Sequence, residues 1–256
     1  MGKHYLEKAF NDKLSANEKI FVPYIMAGDG GLDSLEERLR FLQECGATAV
    51  ELGIPFSDPV ADGPTIQDAG VRALANGTTL HSVIERLEQF KAERTIPIIL
   101  MTYINPIFIY GIERFASDCV KAGVDGVIVP DLPLEEEAMI ADYIQDKEIA
   151  LIRLAALTSP EERIVEIAER TEGFLYAVSV TGITGARTSH QTEVKSYLQK
   201  LKQHAHAPVL AGFGVSNPKQ AQELGAYCDG VVVGSKIVDL FHQGNTEEIK
   251  KLIQES

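Results

Sequence analysis

The chain alternates between short apolar segments and longer amphipathic segments along its whole length, and this alternation constrains its fold more than any other feature. Apolar runs bounded by turn-forming residues predict strands, and segments with apolar residues every three or four positions predict helices. The predicted strands are residues 20–26, 49–53, 98–102, 126–129, 150–155, 174–180, 209–212 and 231–233. A predicted helix follows each strand, which is typical of a parallel sheet with crossover connections.

Eight right-handed strand–helix units favour a closed (β/α)8 TIM barrel of the α/β class. The alternative is an open, doubly wound sheet, but the GxGxxG motif that such sheets carry after their first strand is missing. Two helices are predicted beyond the regular units: an N-terminal helix over 5–13, and an extra helix after the second strand, where 66–76 and 80–94 both have a helical pattern. No linker interrupts the pattern, so residues 1–256 are predicted to form a single domain.

Three helix starts are predicted from residues that commonly cap helices. Asp33 is followed three positions later by Glu36, and Ser159 and Asn217 are each followed by proline at the first helical position. We therefore expect helices to begin at these three residues.

Composition narrows the class of protein. Lys and Arg number 24 against 37 Asp and Glu, a net charge of −13, so nucleic acid and anionic membrane surfaces are poor partners. Cys45, Cys119 and Cys228 show no metal-binding spacing and indicate buried, reduced thiols. No signal peptide is visible, and no apolar stretch reaches the roughly 18 residues of a membrane span. We expect a cytoplasmic protein.

Glu51 is out of place among its neighbours, because it is a carboxylate in an apolar strand between the small residues Ala49 and Gly53. In barrels of this kind the active site lies at the C-terminal ends of the strands. A structural carboxylate paired with Lys or Arg is one interpretation, but no cation lies near it in sequence, which favours catalysis. The proline-rich loop that follows carries Asp62, although Asp-Gly-Pro is also an ordinary turn sequence.

Gly-rich turns follow the last three predicted strands, at residues 181–185, 212–214 and 234–235. Glycine lets backbone N–H groups approach an anion closely, and the start of the next helix adds positive potential. Each turn alone could be a simple tight turn. Their joint placement after strands six to eight predicts a phosphate site.

Several absences limit the reaction. No predicted strand ends in Lys, which argues against Schiff-base chemistry, and no cluster of His and Asp indicates a catalytic metal. The P-loop and GxSxG motifs are also missing. Tyr103 and Tyr176 end strands, but tyrosines there are more often core residues than catalysts. Acid–base catalysis by carboxylates on a phosphorylated small molecule remains, without a metal or cofactor.

The motifs around these residues resemble those of the tryptophan synthase α subunit family. The longest is ELGIPFSDPVADGPTIQDA at residues 51–69. Further matches follow in order along nearly the whole chain: MTYINP at 101–106, VPDLP at 129–133, TGITGAR at 181–187, AGFGVS at 211–216 and VVGS at 232–235. Gly30 is a departure, since many relatives have proline there, and we expect it to affect loop stiffness more than chemistry.

The resemblance implies retro-aldol cleavage of indole-3-glycerol phosphate to indole and glyceraldehyde 3-phosphate, a step of tryptophan biosynthesis. It implies that Glu51 is the general acid and base, that Asp62 hydrogen-bonds the indole N–H, and that Tyr176 assists Glu51. The other site residues that it implies are Gly185, Gly214, Gly234 and Ser235 for the phosphate, and Tyr24, Tyr103, Thr184 and Phe213 for the substrate pocket, with Asp131 at the pocket or the partner face.

The resemblance also implies a partner, the tryptophan synthase β subunit, in an α2β2 complex through which indole passes. Pyridoxal phosphate is expected only on the β subunit, so this chain is expected to hold no cofactor. The loop at 58–59 and the region at 105–106 are expected at the contact surface.

Two other hypotheses stay open beside the lyase. The chain could be another cofactor-free, phosphate-binding barrel enzyme such as an isomerase, in which case the spacing of Glu51 and Asp62 is accidental. It could instead be a non-catalytic chain that mainly activates a partner, against which the intact Glu51, Asp62 and Tyr176 argue.

Overall fold

Parallel strands surround the centre of the structure, a computed structural model that describes residues 1–179 and 188–256, with side chains for all of these except 188–191. Within these ranges the strands are β1 (Ile20–Met26), β2 (Val50–Gly53), β3 (Ile98–Met101), β4 (Gly126–Ile128), β5 (Ala150–Leu151), β6 (Arg153–Ala156), β7 (Leu175–Val178), β8 (Val209–Ala211) and β9 (Gly230–Val233). Their order is β5-β4-β3-β2-β1-β9-β8-β7-β6. Because β5 and β6 are parts of one wall strand, the predicted eight-stranded barrel is confirmed.

The fifth wall strand is interrupted at Ile152, whereas the sequence predicted one strand over 150–155. The N–H of Ile152 still donates to the carbonyl of Val127 on the β4 side, at 3.0 Å. The next N–H, of Arg153, donates instead to the hydroxyl of Thr171 at 3.1 Å. The wall strand therefore changes partner here, from β4 to β7.

Helices cover the outside of the barrel and one of its ends. In the described ranges they are α1 (Lys3–Ser15), α2 (Leu35–Glu44), α3 (Pro64–Ala75), α4 (Leu80–Gln89), α5 (Ile104–Tyr110), α6 (Ile112–Ala122), α7 (Ala138–Gln145), α8 (Glu161–Arg170), α9 (Thr188–His204), α10 (Pro218–Gly225), α11 (Ser235–His242) and α12 (Thr246–Gln254). None of them is both long and apolar enough to cross a membrane. The predicted N-terminal helix and the extra helix after the second strand are confirmed, while α5 and α11 were not predicted.

The helix α1 packs against the interior of the barrel. Leu6 and Phe10 are fully buried and belong to the same apolar cluster as Val22, Ile99 and Leu210 from the strands. The backbone N–H of Gly2 donates to the buried carboxylate of Asp125 at 2.6 Å, which ties the start of α1 to the turn before β4. Catalytic groups are therefore expected at the other end, where the strands finish.

One of the three predicted helix starts is confirmed. The side chain of Asn217 accepts a hydrogen bond from the N–H three residues on, at 3.0 Å, and caps α10. Asp33 lies instead within a 3-10 turn that precedes α2. Ser159 does not cap α8, because its hydroxyl accepts from the N–H of Ala156 at 3.2 Å and closes the preceding turn.

Candidate active site

Glu51 lies in β2, and its side chain is 1% exposed. The neighbouring residues Val50 and Leu52 pack in the outer apolar cluster against the helices, so alternation along the strand turns Glu51 toward the barrel interior. Neither carboxylate oxygen of Glu51 has a hydrogen-bond partner in the described part of the chain. Among the same residues it forms no ion pair, which is the opposite of what a structural carboxylate requires.

Burial decides the protonation state of Glu51. Removal from water raises its pKa from 4.5 to about 8, with a smaller contribution from the charge of Asp62. The hydroxyl of Tyr176 faces the carboxyl and opposes the rise, although neither carboxylate oxygen makes a full hydrogen bond to it. A group with this pKa is mostly protonated at neutral pH, so Glu51 can act as a general acid there.

Tyr176 lies in β7, on the side of the interior that faces Glu51. Burial, followed by the charge of Glu51, raises the pKa of Tyr176 well above its ordinary value, so the phenol is neutral. The ring lies directly over Gly212, where an added Cβ would come within 2.0 Å of a ring carbon. Gly212, predicted to belong to a phosphate turn, also makes room for this tyrosine.

Asp62 lies in the loop between β2 and α3, and this loop is held against Tyr103. The N–H of Ala61 donates to the Tyr103 hydroxyl at 3.0 Å, and the ring of Phe56 lies 5.2 Å from the Tyr103 ring, centre to centre. Burial raises the pKa of Asp62 to about 6, and hydrogen bonding by Tyr103 limits the rise. Asp62 is therefore mostly ionised at pH 7, while Glu51 keeps its proton.

Tyr24 completes the group on the interior face. Strands β1 and β2 pair in a register that sets Tyr24 directly beside Glu51. The structure thus brings together four residues named from the sequence, Glu51, Asp62, Tyr103 and Tyr24, and sets Tyr176 within electrostatic range of them. Phe56 was not predicted from the sequence. The packing role of Gly53 was not predicted either: its lack of a side chain leaves space for the Tyr24 phenol.

Asp131, which the sequence predicts at the pocket or the partner face, contacts the start of α5. Its carboxylate accepts a hydrogen bond from the N–H of Ile104 at 3.0 Å. This bond satisfies a free N–H at the start of α5 and fixes that helix to the loop after β4.

The described parts of the Gly-rich turns lie at the carboxyl ends of β8 and β9. Gly214 has φ of +73°, a conformation that favours glycine. Gly234 precedes α11, and Ser235 is the first residue of that helix and is exposed. Phe213 packs against a second apolar cluster, which lies between β8 and α9. The predicted site residues Thr184 and Gly185 lie outside the described residues.

The side chains that could ligate a metal are scattered in the described part of the chain. Within residues 1–179 and 188–256, no group of three or more His, Cys, Asp or Glu side chains is arranged to hold a metal ion.

Known proteins match this chain over nearly its full length. The family model described as tryptophan synthase alpha chain matches residues 10–256. The tryptophan synthase alpha chain of Oceanobacillus iheyensis is 61% identical over 256 residues, which cover 100% of this chain and 98% of that protein. That of Bacillus anthracis is 52% identical over 254 residues, covering 99% of this chain and 97% of the relative.

Solved structures agree with the sequence relatives. The crystal structure of tryptophan synthase subunit alpha from Legionella pneumophila superposes with a TM-score of 0.89 at 32% identity, covering 98% of this chain and 96% of that one. A structure of Mycobacterium tuberculosis tryptophan synthase also reaches a TM-score of 0.89, at 31% identity and with 98% and 95% coverage. From its family model, its full-length relatives and its fold, this chain belongs to the tryptophan synthase alpha chain family.

Proposed function

We propose that the chain catalyses the α reaction of tryptophan synthase, the retro-aldol cleavage of indole-3-glycerol phosphate to indole and glyceraldehyde 3-phosphate. The observation that carries the proposal is Glu51, a buried carboxyl without a partner among the described residues, placed near an ionised Asp62. An interior carboxyl group left unpaired lowers stability and is retained where chemistry uses it.

The cleavage needs a proton at the ring carbon that bears the glycerol chain. Protonation there makes the ring an electron acceptor, so that the bond to the side chain can break with its electron pair moving into the ring. Glu51 supplies this proton, because it remains protonated near neutral pH. The resulting carboxylate takes the proton of the adjacent glycerol hydroxyl, which becomes the aldehyde. Glu51 is therefore protonated again at the end of the cycle.

Asp62 and Tyr176 support the charge that develops on the ring and on Glu51. Asp62 accepts the indole N–H and stabilises the positive charge of the protonated ring, which needs an ionised carboxylate. Tyr176 is a neutral donor beside Glu51 and stabilises it after it has lost its proton. None of these steps requires a metal or cofactor on this chain.

The substrate phosphate is assigned to the turns after the last strands. The N-terminus of α11 at Gly234 and Ser235 offers free N–H groups and positive potential, and Gly214 opens the neighbouring turn. Gly185 and Thr184 are proposed to complete this site and the adjacent pocket.

An exposed apolar surface suits the β subunit, the partner proposed for an α2β2 complex. Val60 in the Asp62 loop is 82% exposed, and Phe108 and Ile109 in α5 are 40% and 88% exposed. The loop and the start of α5 are joined through Tyr103, so a partner bound to this surface also contacts the element that carries Asp62. The pyridoxal phosphate of the complex is assigned to the partner.

The decisive experiment measures indole release from indole-3-glycerol phosphate by the purified chain, alone and with a tryptophan synthase β subunit. We expect release by the natural chain, stimulation by β, and a loss of about two to four decades in kcat for Glu51→Gln. Equal release by Glu51→Gln would refute the assigned mechanism. Absence of release from the natural chain under both conditions would favour the isomerase or the non-catalytic alternative.

The proposed contact surface is tested with paired substitutions. Ile109→Asp places a charge on the surface and is expected to abolish stimulation by β without changing release by the isolated chain. Val120→Asp in α6 is the control, because Val120 is also exposed, at 42%, but lies on a different helix. Equal stimulation of the two variants by β would show that the β subunit binds to a different surface.

We also propose a cytoplasmic location, since Cys45, Cys119 and Cys228 are all buried, unpaired thiols, a state typical of a reducing compartment.

A further inference from the structure

Tyr24 brings a phenol hydroxyl to the interior face beside Glu51, within electrostatic range of Asp62. Its side chain is 5% exposed and stands next to Glu51 in the strand register. The ring leans toward the mouth of the barrel across β2, since a Cβ at Gly53 would lie 2.0 Å from the hydroxyl oxygen and 2.5 Å from the ring carbon that bears it. Gly53 follows Glu51 by two residues on the same inward face, so the hydroxyl lies closer to the mouth than the Glu51 backbone.

The surroundings of Tyr24 separate into an apolar and a polar side. From the helices, Ile66 and Ala69 of α3 and Val238 of α11 pack against it, and none of them is titratable. The titratable groups that act on it lie on the interior side, on β2, the loop after β2, the residue after β3, and β7: Glu51, Asp62, Tyr103 and Tyr176.

The Tyr24 phenol stays neutral next to these carboxyls. Burial, then the charge of Asp62 and then that of Glu51, raises its pKa well above the ordinary value. A neutral phenol can donate one hydrogen bond, and the carboxyl that most needs it is the one that carries the charge.

We propose that Tyr24 is a positioning residue of the α reaction, whose hydroxyl donates to whichever of Asp62 and Glu51 is ionised. This inference rests on the function proposed above. Before reaction Glu51 is protonated, and the hydroxyl donates to Asp62. After Glu51 has given its proton to the ring carbon, the hydroxyl turns to the new carboxylate. Tyr24 keeps its own proton throughout, so it transfers no atom.

A purely structural role for Tyr24 makes a different prediction. If the ring only forms a wall of the pocket, phenylalanine has the same shape and serves equally well. Tyr24→Phe therefore separates the two roles, and Gly53 stays unchanged so that the ring keeps its place.

The first test compares the natural chain, Tyr24→Phe and Tyr197→Phe in indole release from pH 5 to 10. Tyr197 is a matched control, because its buried hydroxyl donates to the carbonyl of Ala155 at 2.5 Å on the outer side of the barrel. We expect Tyr24→Phe to lower kcat about 10- to 100-fold with KM changed by less than about twofold. Its pH profile should move upward by about one unit, because an ionised carboxyl has lost a donor. Tyr197→Phe should keep the natural profile.

The second test does not depend on catalysis. The free energy of unfolding of the same three proteins is measured by denaturant titration at pH 5 and pH 9. Loss of the hydroxyl should destabilise Tyr24→Phe more at pH 9, where both carboxyls are ionised, than at pH 5. The effect of Tyr197→Phe should be the same at both values.

The outcomes separate this inference from the proposed function. An unshifted pH profile, or an equal loss of stability at pH 5 and pH 9, would overturn the role of Tyr24 even if the natural chain releases indole. If the natural chain releases none, the proposed function fails, and the stability comparison still decides whether Tyr24 donates to the carboxyls.

Discussion

Two buried carboxyls of this barrel differ in what surrounds them, and the difference supports the catalytic role proposed for one of them. Asp125 accepts hydrogen bonds from the N–H groups of Gly2 and Ile98, at 2.6 and 2.8 Å, and so supports the fold. Glu51 has no such partner among the described residues. A group that is buried without compensation lowers stability, so the burial of Glu51 supports the proposed chemistry rather than a contribution to the fold.

Replacement of Glu51 by Gln is expected to stabilise the protein at high pH. The pKa of Glu51 is 4.5 in its ordinary state and about 8 in the fold, so the folded state binds the extra proton between these values. Stability contributed by this group is therefore lost as the pH rises from about 4.5 to about 8, and the loss is absent in Glu51→Gln. At pH 9 the variant should gain on the order of a few kcal/mol in unfolding free energy, and far less at pH 5.

Asp125→Asn provides the contrast for this measurement. The amide has one acceptor oxygen where the carboxylate had two, so one buried N–H loses its partner. This variant should be less stable than the natural chain at pH 7. If both variants changed stability in the same direction at pH 9, the distinction drawn between the two carboxyls would be wrong.

Gly212→Ala is expected to impair catalysis through Tyr176. An added Cβ would lie 2.0 Å from the Tyr176 ring, which must move away from Glu51. We expect kcat for indole release to fall by about tenfold or more while the protein still folds. Gly70→Ala is the control, because a Cβ there meets only ordinary contact at 3.7 Å and should leave kcat unchanged. Natural kcat in Gly212→Ala would show that the ring position does not matter.

The buried carboxyl proposed to carry the chemistry was visible in the sequence, whereas its surroundings were not. A carboxylate in an apolar strand is visible from its neighbours in sequence, and the structure confirms that Glu51 is buried. The packing roles of Gly53 and Gly212 were not visible, because each depends on a tyrosine from another strand. The burial that raises the pKa of Asp62 was not visible either, because its contact with Tyr103 joins residues far apart in sequence.

At the level of elements, the strands and the long amphipathic helices follow from periodicity, whereas the short helices after two strands do not. The helix α5 has the sequence INPIFIY, in which proline lies in the first turn and no polar face balances the apolar one. Its exposed residues suit the proposed partner rather than solvent. The helix α11 begins at Ser235, directly after Gly234, so its start was interpreted as a turn.

The helix α1 is expected to stabilise the barrel from its N-terminal end. Phe10 is fully buried, and its ring packs edge-on against Phe174 with 5.9 Å between ring centres. Phe10→Ala should lower the free energy of unfolding by about 3–5 kcal/mol, measured by denaturant titration. Phe108→Ala on the exposed α5 should change it by less than about 0.5 kcal/mol. A small effect of Phe10→Ala would show that α1 is dispensable for the barrel.

Gly30, in the loop after β1, adopts a backbone conformation that is closed to proline. Gly30 has φ of +88°, which proline cannot adopt, and a Cβ there would lie 2.5 Å from the Arg38 guanidinium. Gly30→Pro should therefore destabilise the chain by about 1–3 kcal/mol. Gly31→Ala tests the strain alone, because Gly31 also has positive φ but nothing within 4 Å, and its effect should be smaller. A stabilised Gly30→Pro would mean that the loop readily adopts another path.

For the molecule as a whole, function depends on neutralising charge at one place in an acidic chain. The net charge is −13, yet the substrate proposed for this chain carries a phosphate. Glu51 in its protonated form removes one negative charge from the interior, and the free N–H groups at the start of α11 supply positive potential at the mouth. The barrel places both at the carboxyl ends of its strands, so the acid and the proposed anion site share one end of the fold.

The central claim is that the Glu51 carboxyl keeps its proton at neutral pH, and infrared spectroscopy measures this directly. The carbonyl stretch of a protonated carboxyl, isolated as the difference between the natural chain and Glu51→Gln, is followed as the pH is raised. The account predicts that this band is present at pH 7 and disappears with a midpoint near 8. A band already absent at pH 7, with a midpoint near the ordinary value of 4.5, would contradict it.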